Sequence, residues 1–120
     1  MLELKDFEAA YNKVQEVVLP TKLIKSDYFS DQTGNDVYLK PENMQLTGAY
    51  KIRGAYYKIS TLSEEEKAKG LITASAGNHA QGVALAAARQ GVKATIVMPT
   101  TTPLLKVNRT KDLGAEVILH

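Results

Sequence analysis

The second half of the sequence alternates between short apolar runs and helical segments, and this alternation restricts the fold most. The runs at residues 71–74, 92–98 and 115–119 contain β-branched residues and have the lengths of strands. Residues 77–90 and 103–113 lie between them, and each of these segments is followed by a glycine, which commonly ends a helix. Strands that alternate with helices of about a dozen residues form βαβ units. The sequence therefore predicts an α/β fold, an open parallel sheet with flanking helices.

The first half has a less regular pattern. The apolar side chains between Phe7 and Val17 recur at helical spacing and predict a helix, with Asp6 as its N-cap and Pro20 as its end. Residues 31–36 are turn formers, and residues 37–40 have the composition of a strand.

Two further helices are predicted in the middle of the chain. One begins at Thr47 as N-cap and runs toward Ile59. Ser63 and Glu66 have the spacing of a capping box and open a short helix, which Gly70 closes. In the second half, Thr102 followed by Pro103 predicts the start of the helix that runs to residue 113.

Composition excludes several classes of protein. A net charge of +2 over 120 residues does not indicate a nucleic-acid partner, and the absence of cysteine excludes disulfides and thiolate metal sites. Two histidines without a paired carboxylate do not favour a metal site. No apolar run approaches the roughly 20 residues that a membrane span needs, and the first residues do not resemble a signal peptide. We therefore expect a cytoplasmic protein without a membrane partner.

The loop after the first predicted strand of the sheet is a candidate ligand site. Residues 75–82 read Ser-Ala-Gly-Asn-His-Ala-Gln-Gly, and they lead from a strand into a helix whose free N–H groups can bind an anion. The segment is neither a P-loop, since Val83 and Ala84 follow Gly82, nor a dinucleotide fingerprint. The alternative is that its glycines serve only tight packing.

Lys51 is a candidate nucleophile. It falls in the first turns of a predicted helix and close to Arg53, and both the helix dipole and a neighbouring cation disfavour a charged amine. A neutral amine is the form that Schiff-base chemistry requires. The alternative is a solvated lysine of the kind found on most helices. His79 is either a base or a structural histidine.

Four motifs in this order resemble the pyridoxal-phosphate enzymes of fold type II, the tryptophan-synthase-β type. They are Tyr-Leu-Lys-Pro-Glu at 38–42, Gly-Ala-Tyr-Lys-Ile-Arg-Gly-Ala at 48–55, Thr-Ala-Ser-Ala-Gly-Asn-His-Ala-Gln-Gly at 73–82, and the segment from Val97 to Lys106. Within this family the chain is similar to the threonine dehydratases. It has Ala49 and Tyr50 where the family usually has serine and phenylalanine before the lysine.

The resemblance implies roles for individual residues. Lys51 would bind pyridoxal 5'-phosphate covalently and act on the substrate proton, and Asn78 would hydrogen-bond the hydroxyl of the cofactor ring. The substrate carboxylate would lie on Ser75, Ala76, Gly77, Asn78 and His79. The implied reaction converts L-threonine to 2-oxobutanoate and ammonia, or L-serine to pyruvate and ammonia. A homodimer or homotetramer is implied for the complete protein, as is a place in amino-acid metabolism such as isoleucine biosynthesis.

The same resemblance divides the chain into two parts. Residues 1–45 would belong to a larger cofactor domain and residues 46–120 to a smaller α/β domain that is incomplete at its C-terminus. The glycine-rich phosphate cup of the family is absent from this sequence, so we expect an N-terminal portion that is inactive and poorly stable alone. Serine racemase, threonine synthase and diaminopropionate ammonia-lyase share similar motifs and remain alternatives. A non-catalytic binding module on the same scaffold is a third interpretation.

Overall fold

The computed structural model describes residues 1–120 and contains six α-helices and five strands. In chain order these elements are α1 (Leu4–Val14), β1 (Ile24–Lys25), α2 (Asp27–Thr33), β2 (Tyr38–Leu39), a 3-10 turn (Glu42–Met44), α3 (Lys51–Ser60), α4 (Glu64–Lys69), β3 (Leu71–Ala74), α5 (Asn78–Arg89), β4 (Ala94–Met98), α6 (Leu104–Asp112) and β5 (Glu116–Leu119).

The three strands of the second half form a parallel sheet in the order β3-β4-β5, which confirms the predicted α/β fold. Leu71 lies beside Ala94, and Thr95 lies beside Glu116. The central strand β4 buries alternate residues on one face, Ala94, Ile96 and Met98. Because all three strands run the same way, their carboxyl ends and the loops after them meet at one edge of the sheet.

Helix α5 lies at the centre of the core. Four of its five alanines are buried, Ala80, Ala84, Ala86 and Ala87, and it packs against α3 and β4. Small side chains let a helix approach its neighbours closely, which explains the alanine-rich composition of this segment. Gly91, at a φ of +67°, ends the helix as predicted.

Helix α1 differs at both ends from the prediction. Its N-cap is Glu3, not Asp6; Asp6 lies three residues on and accepts the Glu3 N–H at 2.8 Å, which completes a capping box. The helix ends at Val14, well before Pro20. Val14 and Val18 are nevertheless buried in the main core. The Tyr56 hydroxyl of α3 donates to Glu16 at 2.8 Å, so this N-terminal segment is anchored to α3.

The predicted turn at residues 31–36 is wrong in its first half, because residues 31–33 belong to α2. Ser26 caps that helix by accepting the Phe29 N–H, and Gly34 ends it at a φ of +66°. The predicted strand at 37–40 is shorter, Tyr38–Leu39, and pairs antiparallel with β1. These two strands form a small sheet of their own.

The predicted caps in the rest of the chain have mixed outcomes. Thr47 does not cap α3, which begins at Lys51 after the N-cap Tyr50. Thr102 does not cap α6, whose N-cap is Pro103. The hydroxyls of Thr47 and Thr102 are both buried without a hydrogen-bond partner. The capping box of Ser63 and Glu66 is confirmed, and Gly70 follows α4 at a φ of +78°.

Much of the N-terminal third is exposed and apolar. The accessible surface of 8070 Å² exceeds the roughly 6400 Å² expected for a folded monomer of 13.1 kDa. The radius of gyration is 16.8 Å, against about 14 Å for a typical domain of this length. No helix has the length and hydropathy that crossing a membrane requires. The exposed large apolar side chains of this region include Leu4, Phe7, Tyr11, Leu23, Ile24, Tyr28, Phe29, Tyr38 and Leu39.

Candidate active site

The loop after β3 presents an uncapped helix start. The Ser75 N–H donates to the Val97 carbonyl at 3.0 Å, so the loop leaves directly from the parallel ladder. The Ser75 hydroxyl accepts the Gly77 N–H at 3.3 Å. Gly77 is the N-cap of α5 and has no side chain, so the first N–H groups of α5 have no side-chain acceptor. This start of α5 can therefore bind a carboxylate or phosphate.

Lys51 is the first residue of α3, as its predicted place near a helix start requires. Its side chain is exposed, and its Nζ lies 5.0 Å from the centroid of the Tyr50 ring. This separation allows a cation–π contact, which is a weak interaction at an exposed site. The amine has no carboxylate partner and is therefore available to a ligand.

A close contact between two helices brings Lys51 next to α5. A Cβ atom added at Gly82 would lie 3.0 Å from the Lys51 carbonyl carbon and 3.1 Å from its Cβ. Gly82 therefore allows α5 to press directly on the backbone of Lys51. Asn78 precedes Gly82 by four residues, about 6 Å along the helix axis. Gly82 thus serves close packing, and the residue against which it packs is the candidate nucleophile.

Lys51 lines a cleft of about 500 Å³ between α3, β3 and the start of α5, here called the Lys51 cleft. Tyr50, Thr73 and His79 supply polar atoms, and most of the other lining residues are apolar. Of the predicted site residues, the structure brings Lys51 and His79 to this cleft. Ser75, Ala76, Gly77 and Asn78 are in the adjoining loop and helix start and do not line it. Gly54 lines the cleft and has no atom within 4 Å of an added Cβ, so it serves no tight packing.

Arg53 does not act as the free cation that was expected beside Lys51. Its Nε and Nη2 atoms donate to the Glu42 carboxylate at 2.8 and 3.2 Å, and the pair is mostly buried. The Arg53 guanidinium is the main cause that lowers the pKa of Glu42 to about 2, against the opposing effect of burial. The Glu42 carboxylate in turn raises the pKa of Arg53 above its usual value. The expected electrostatic effect of Arg53 on Lys51 is thus largely neutralised.

Sequence patterns missed the residues that hold the start of α3. Glu42 and Gln45 precede the helix, and neither was given a role. Gln45 is only 4% exposed, and a buried amide that has hydrogen-bond partners is typical of a fixed polar contact. The one available signal was the closely spaced set of polar residues at 40–45, immediately before the glycine and lysine of the second motif.

Fold and site together define a class of protein: an α/β protein with an open parallel sheet, a lysine amine in a cleft and an uncapped helix start beside it. The sequence profile of the family described as pyridoxal-phosphate dependent enzymes matches residues 14–120. The chain belongs to that family, and the predicted resemblance is confirmed.

Individual relatives agree with this assignment. An L-threonine ammonia-lyase of Thermotoga maritima is 55% identical over 120 residues, which are 100% of this chain and 30% of the relative. The processed form of threonine deaminase isoform 2 from Solanum lycopersicum has a TM-score of 0.84 at 42% identity over 99% of this chain and 36% of that one. Serine racemase from Dictyostelium discoideum has a TM-score of 0.91 at 35% identity, over 98% of this chain and 38% of that one. The chain thus spans about a third of the length of the proteins it matches.

The residues present fit the cofactor of the family. An aldehyde cofactor requires an unpaired lysine amine, and Lys51 has one at the edge of a cleft of about 500 Å³. A side-chain amide can hydrogen-bond the polar substituents of a planar ring, and Asn78 is exposed at the start of α5, in the segment that adjoins the cleft.

Proposed function

We propose that this chain contributes the cofactor lysine and the substrate loop of an enzyme that converts L-threonine to 2-oxobutanoate and ammonia. The same reaction on L-serine, which lacks the methyl group, gives pyruvate and ammonia. The observation that carries the proposal is the contact of Gly82 with the Lys51 backbone, because it holds that backbone about one turn from the uncapped start of α5. The names of the relatives that match at 55% and 42% identity support threonine as substrate.

Each part of the site has a role in this proposal. Pyridoxal phosphate, when bound at Lys51, supplies an electron sink for breaking a bond at the substrate Cα. The Nζ of Lys51 takes the proton from Cα, and the β-hydroxyl leaves with a proton as water. The unsaturated amine that results then takes up water, which releases ammonia and leaves the 2-oxo acid. The loop at residues 75–79 holds the substrate carboxylate through the N–H groups of Ala76, Asn78 and His79, which donate to no group of the protein, since a helix start stabilises an anion. The Asn78 amide fixes the plane of the cofactor ring.

A second candidate is racemisation of serine. The serine racemase of Dictyostelium discoideum has a higher TM-score, 0.91, than the threonine deaminase, 0.84, although its identity is lower. Both reactions begin with removal of the Cα proton, so the same lysine serves either. They differ in the next step, which is either loss of the β-hydroxyl or return of a proton to the opposite face.

Product analysis separates the candidates. The protein as its gene encodes it is incubated with pyridoxal phosphate and either L-threonine or L-serine, and keto acid, ammonia and D-serine are measured. The proposal predicts equal amounts of 2-oxobutanoate and ammonia from threonine, lost in Lys51→Ala. D-Serine without keto acid indicates the racemase, and no turnover with no bound cofactor indicates a binding module.

Three broader properties belong to the same proposal. The separate β1–β2 sheet supports a division into residues 1–45, part of a larger cofactor domain, and residues 46–120, part of a smaller domain. The exposed apolar surface of the N-terminal third supports burial against further protein. We propose a homodimer or homotetramer in the cytoplasm for the assembled enzyme.

A further inference from the structure

The segment before Lys51 is held by two side chains that reach the same stretch of backbone. The Gln45 Oε1 atom accepts the Leu19 N–H at 2.8 Å, and its Nε2 atom donates to the Leu19 carbonyl at 3.0 Å. The Glu42 Oε1 atom accepts the Thr21 hydroxyl at 2.6 Å. Residues 42–45 are thereby fixed to residues 19–21, far away in sequence.

Glu42 also reaches forward into α3. Its carboxylate accepts two bonds from Arg53, which lies two residues after Lys51 in the first turn of the helix. The side chains of Glu42 and Arg53 are only 15% and 27% exposed, so water competes little for these bonds. A two-point bond between a guanidinium and a carboxylate fixes both separation and orientation.

The first turn of α3 has no other polar anchor. Its N-cap Tyr50 makes no side-chain hydrogen bond to the helix. The Thr47 hydroxyl, which has the chemistry for a cap, is buried without a partner. The position of Lys51 is therefore set by the buried Ile52 and the contact with Gly82 on the core side, and Arg53 supplies the polar anchor of this turn.

We propose that Glu42 and Arg53 are positioning residues that hold the Lys51 amine at its cleft. The inference rests on the proposed function, in which Lys51 carries the cofactor. Neither residue lines the Lys51 cleft, so both act through the backbone of α3. A displacement of about 1 Å at a reacting group can lower a rate about 100-fold, so a loosened first turn is expected to reduce kcat and leave substrate affinity nearly unchanged.

Steady-state kinetics of the cofactor-loaded protein, as its gene encodes it, test this inference with L-threonine as substrate. Glu42→Gln keeps the shape and the acceptor for Thr21 but removes the charge, and Arg53→Lys keeps the charge but removes the two-point geometry. Tyr56→Phe is the matched control, because it deletes another bond from α3 to a carboxylate, one turn further on. Thermal melting of every variant is measured alongside.

The expected result is a kcat about 10- to 100-fold lower in Glu42→Gln and Arg53→Lys, with KM within about threefold of the unaltered protein. The double variant is expected to be no worse than the poorer single variant, because both remove one interaction. Tyr56→Phe is expected to lower the melting temperature without lowering kcat.

Other outcomes overturn the inference. It fails if Glu42→Gln keeps the kcat of Tyr56→Phe, or if KM rises while kcat is unchanged. It also fails if the losses of kcat in the two single variants multiply in the double variant. It also fails if neither single variant is folded at the assay temperature, since the pair is then a folding element only. Absence of cofactor binding and turnover in the unaltered protein is a distinct result, which overturns the proposed function itself.

Discussion

Replacing Gly82 with alanine tests whether contact between α3 and α5 sets the position of Lys51. The added Cβ would lie 3.0 Å from the Lys51 carbonyl carbon, 3.1 Å from the Ile52 nitrogen and 3.1 Å from the Lys51 Cβ. Carbon atoms in contact normally lie about 3.5–4.0 Å apart, so the helices must separate by roughly 0.5–1 Å. Two of the opposing atoms belong to the backbone, and a rotamer change cannot relieve the contact.

The free energy of unfolding contains two opposing terms for this substitution. Overpacking in a core costs about 1–3 kcal/mol, and alanine in place of glycine inside a helix gains up to about 1 kcal/mol. We expect a net loss of roughly 0–3 kcal/mol in the free energy of unfolding. The effect on activity is larger, because a shift of this size between Lys51 and Asn78 lowers kcat about 10- to 100-fold.

Threonine turnover and urea unfolding of Gly82→Ala are measured together. Gly54→Ala is the stability control, since Gly54 is inside α3 and has no atom within 4 Å of an added Cβ. It is expected to be more stable by up to about 1 kcal/mol. A Gly82→Ala protein with unchanged kcat, or with a gain in stability equal to that of Gly54→Ala, would refute the reasoning.

Three further predictions concern stability. The pKa of Glu42 is lowered to about 2, so its stabilising effect is complete above about pH 5 and is lost as the pH falls toward 2. Between pH 7 and pH 3 the free energy of unfolding, measured in urea, should therefore fall by about 2 kcal/mol more in the unaltered protein than in Glu42→Gln. Ser63→Ala removes a capping box and should lower the free energy of unfolding by about 1 kcal/mol. Removal of the exposed Lys69–Glu65 pair should change the melting temperature little. The 120 residues expressed alone should bind a hydrophobic dye and lack a cooperative melt, because their apolar N-terminal surface is uncovered; a sharp two-state transition with tight cofactor binding would contradict this.

Local patterns were sufficient to predict the parallel sheet. β4 has β-branched residues between a glycine and a proline, and α5 has a helical pattern ended by Gly91, so each element is determined by its own residues. Failures occurred where local and tertiary preferences compete. Residues 27–33 form a helix without an apolar stripe and had no period to detect. Thr47 has the chemistry of an N-cap, but Gly48 after it has a φ of +69°, which a right-handed helix does not allow, and the helix begins only at Lys51.

The components of the candidate site were predicted better than their arrangement. Lys51 at a helix start and residues 75–77 before α5 follow from motif and order along the chain. The Glu42–Arg53 pair joins residues eleven positions apart across a turn, and no periodicity predicts that contact. The approach of Gly82 to Lys51 depends on the packing of two helices, which only the tertiary structure specifies.

Covalent trapping of pyridoxal phosphate tests the central claim most directly. The protein is loaded with the cofactor, reduced with borohydride and digested, and the labelled peptide is identified by mass spectrometry. The account predicts one label, on Lys51, and none in Lys51→Ala. A label on another lysine, such as Lys58 at the same cleft, or no label in a protein that turns over threonine, would contradict it.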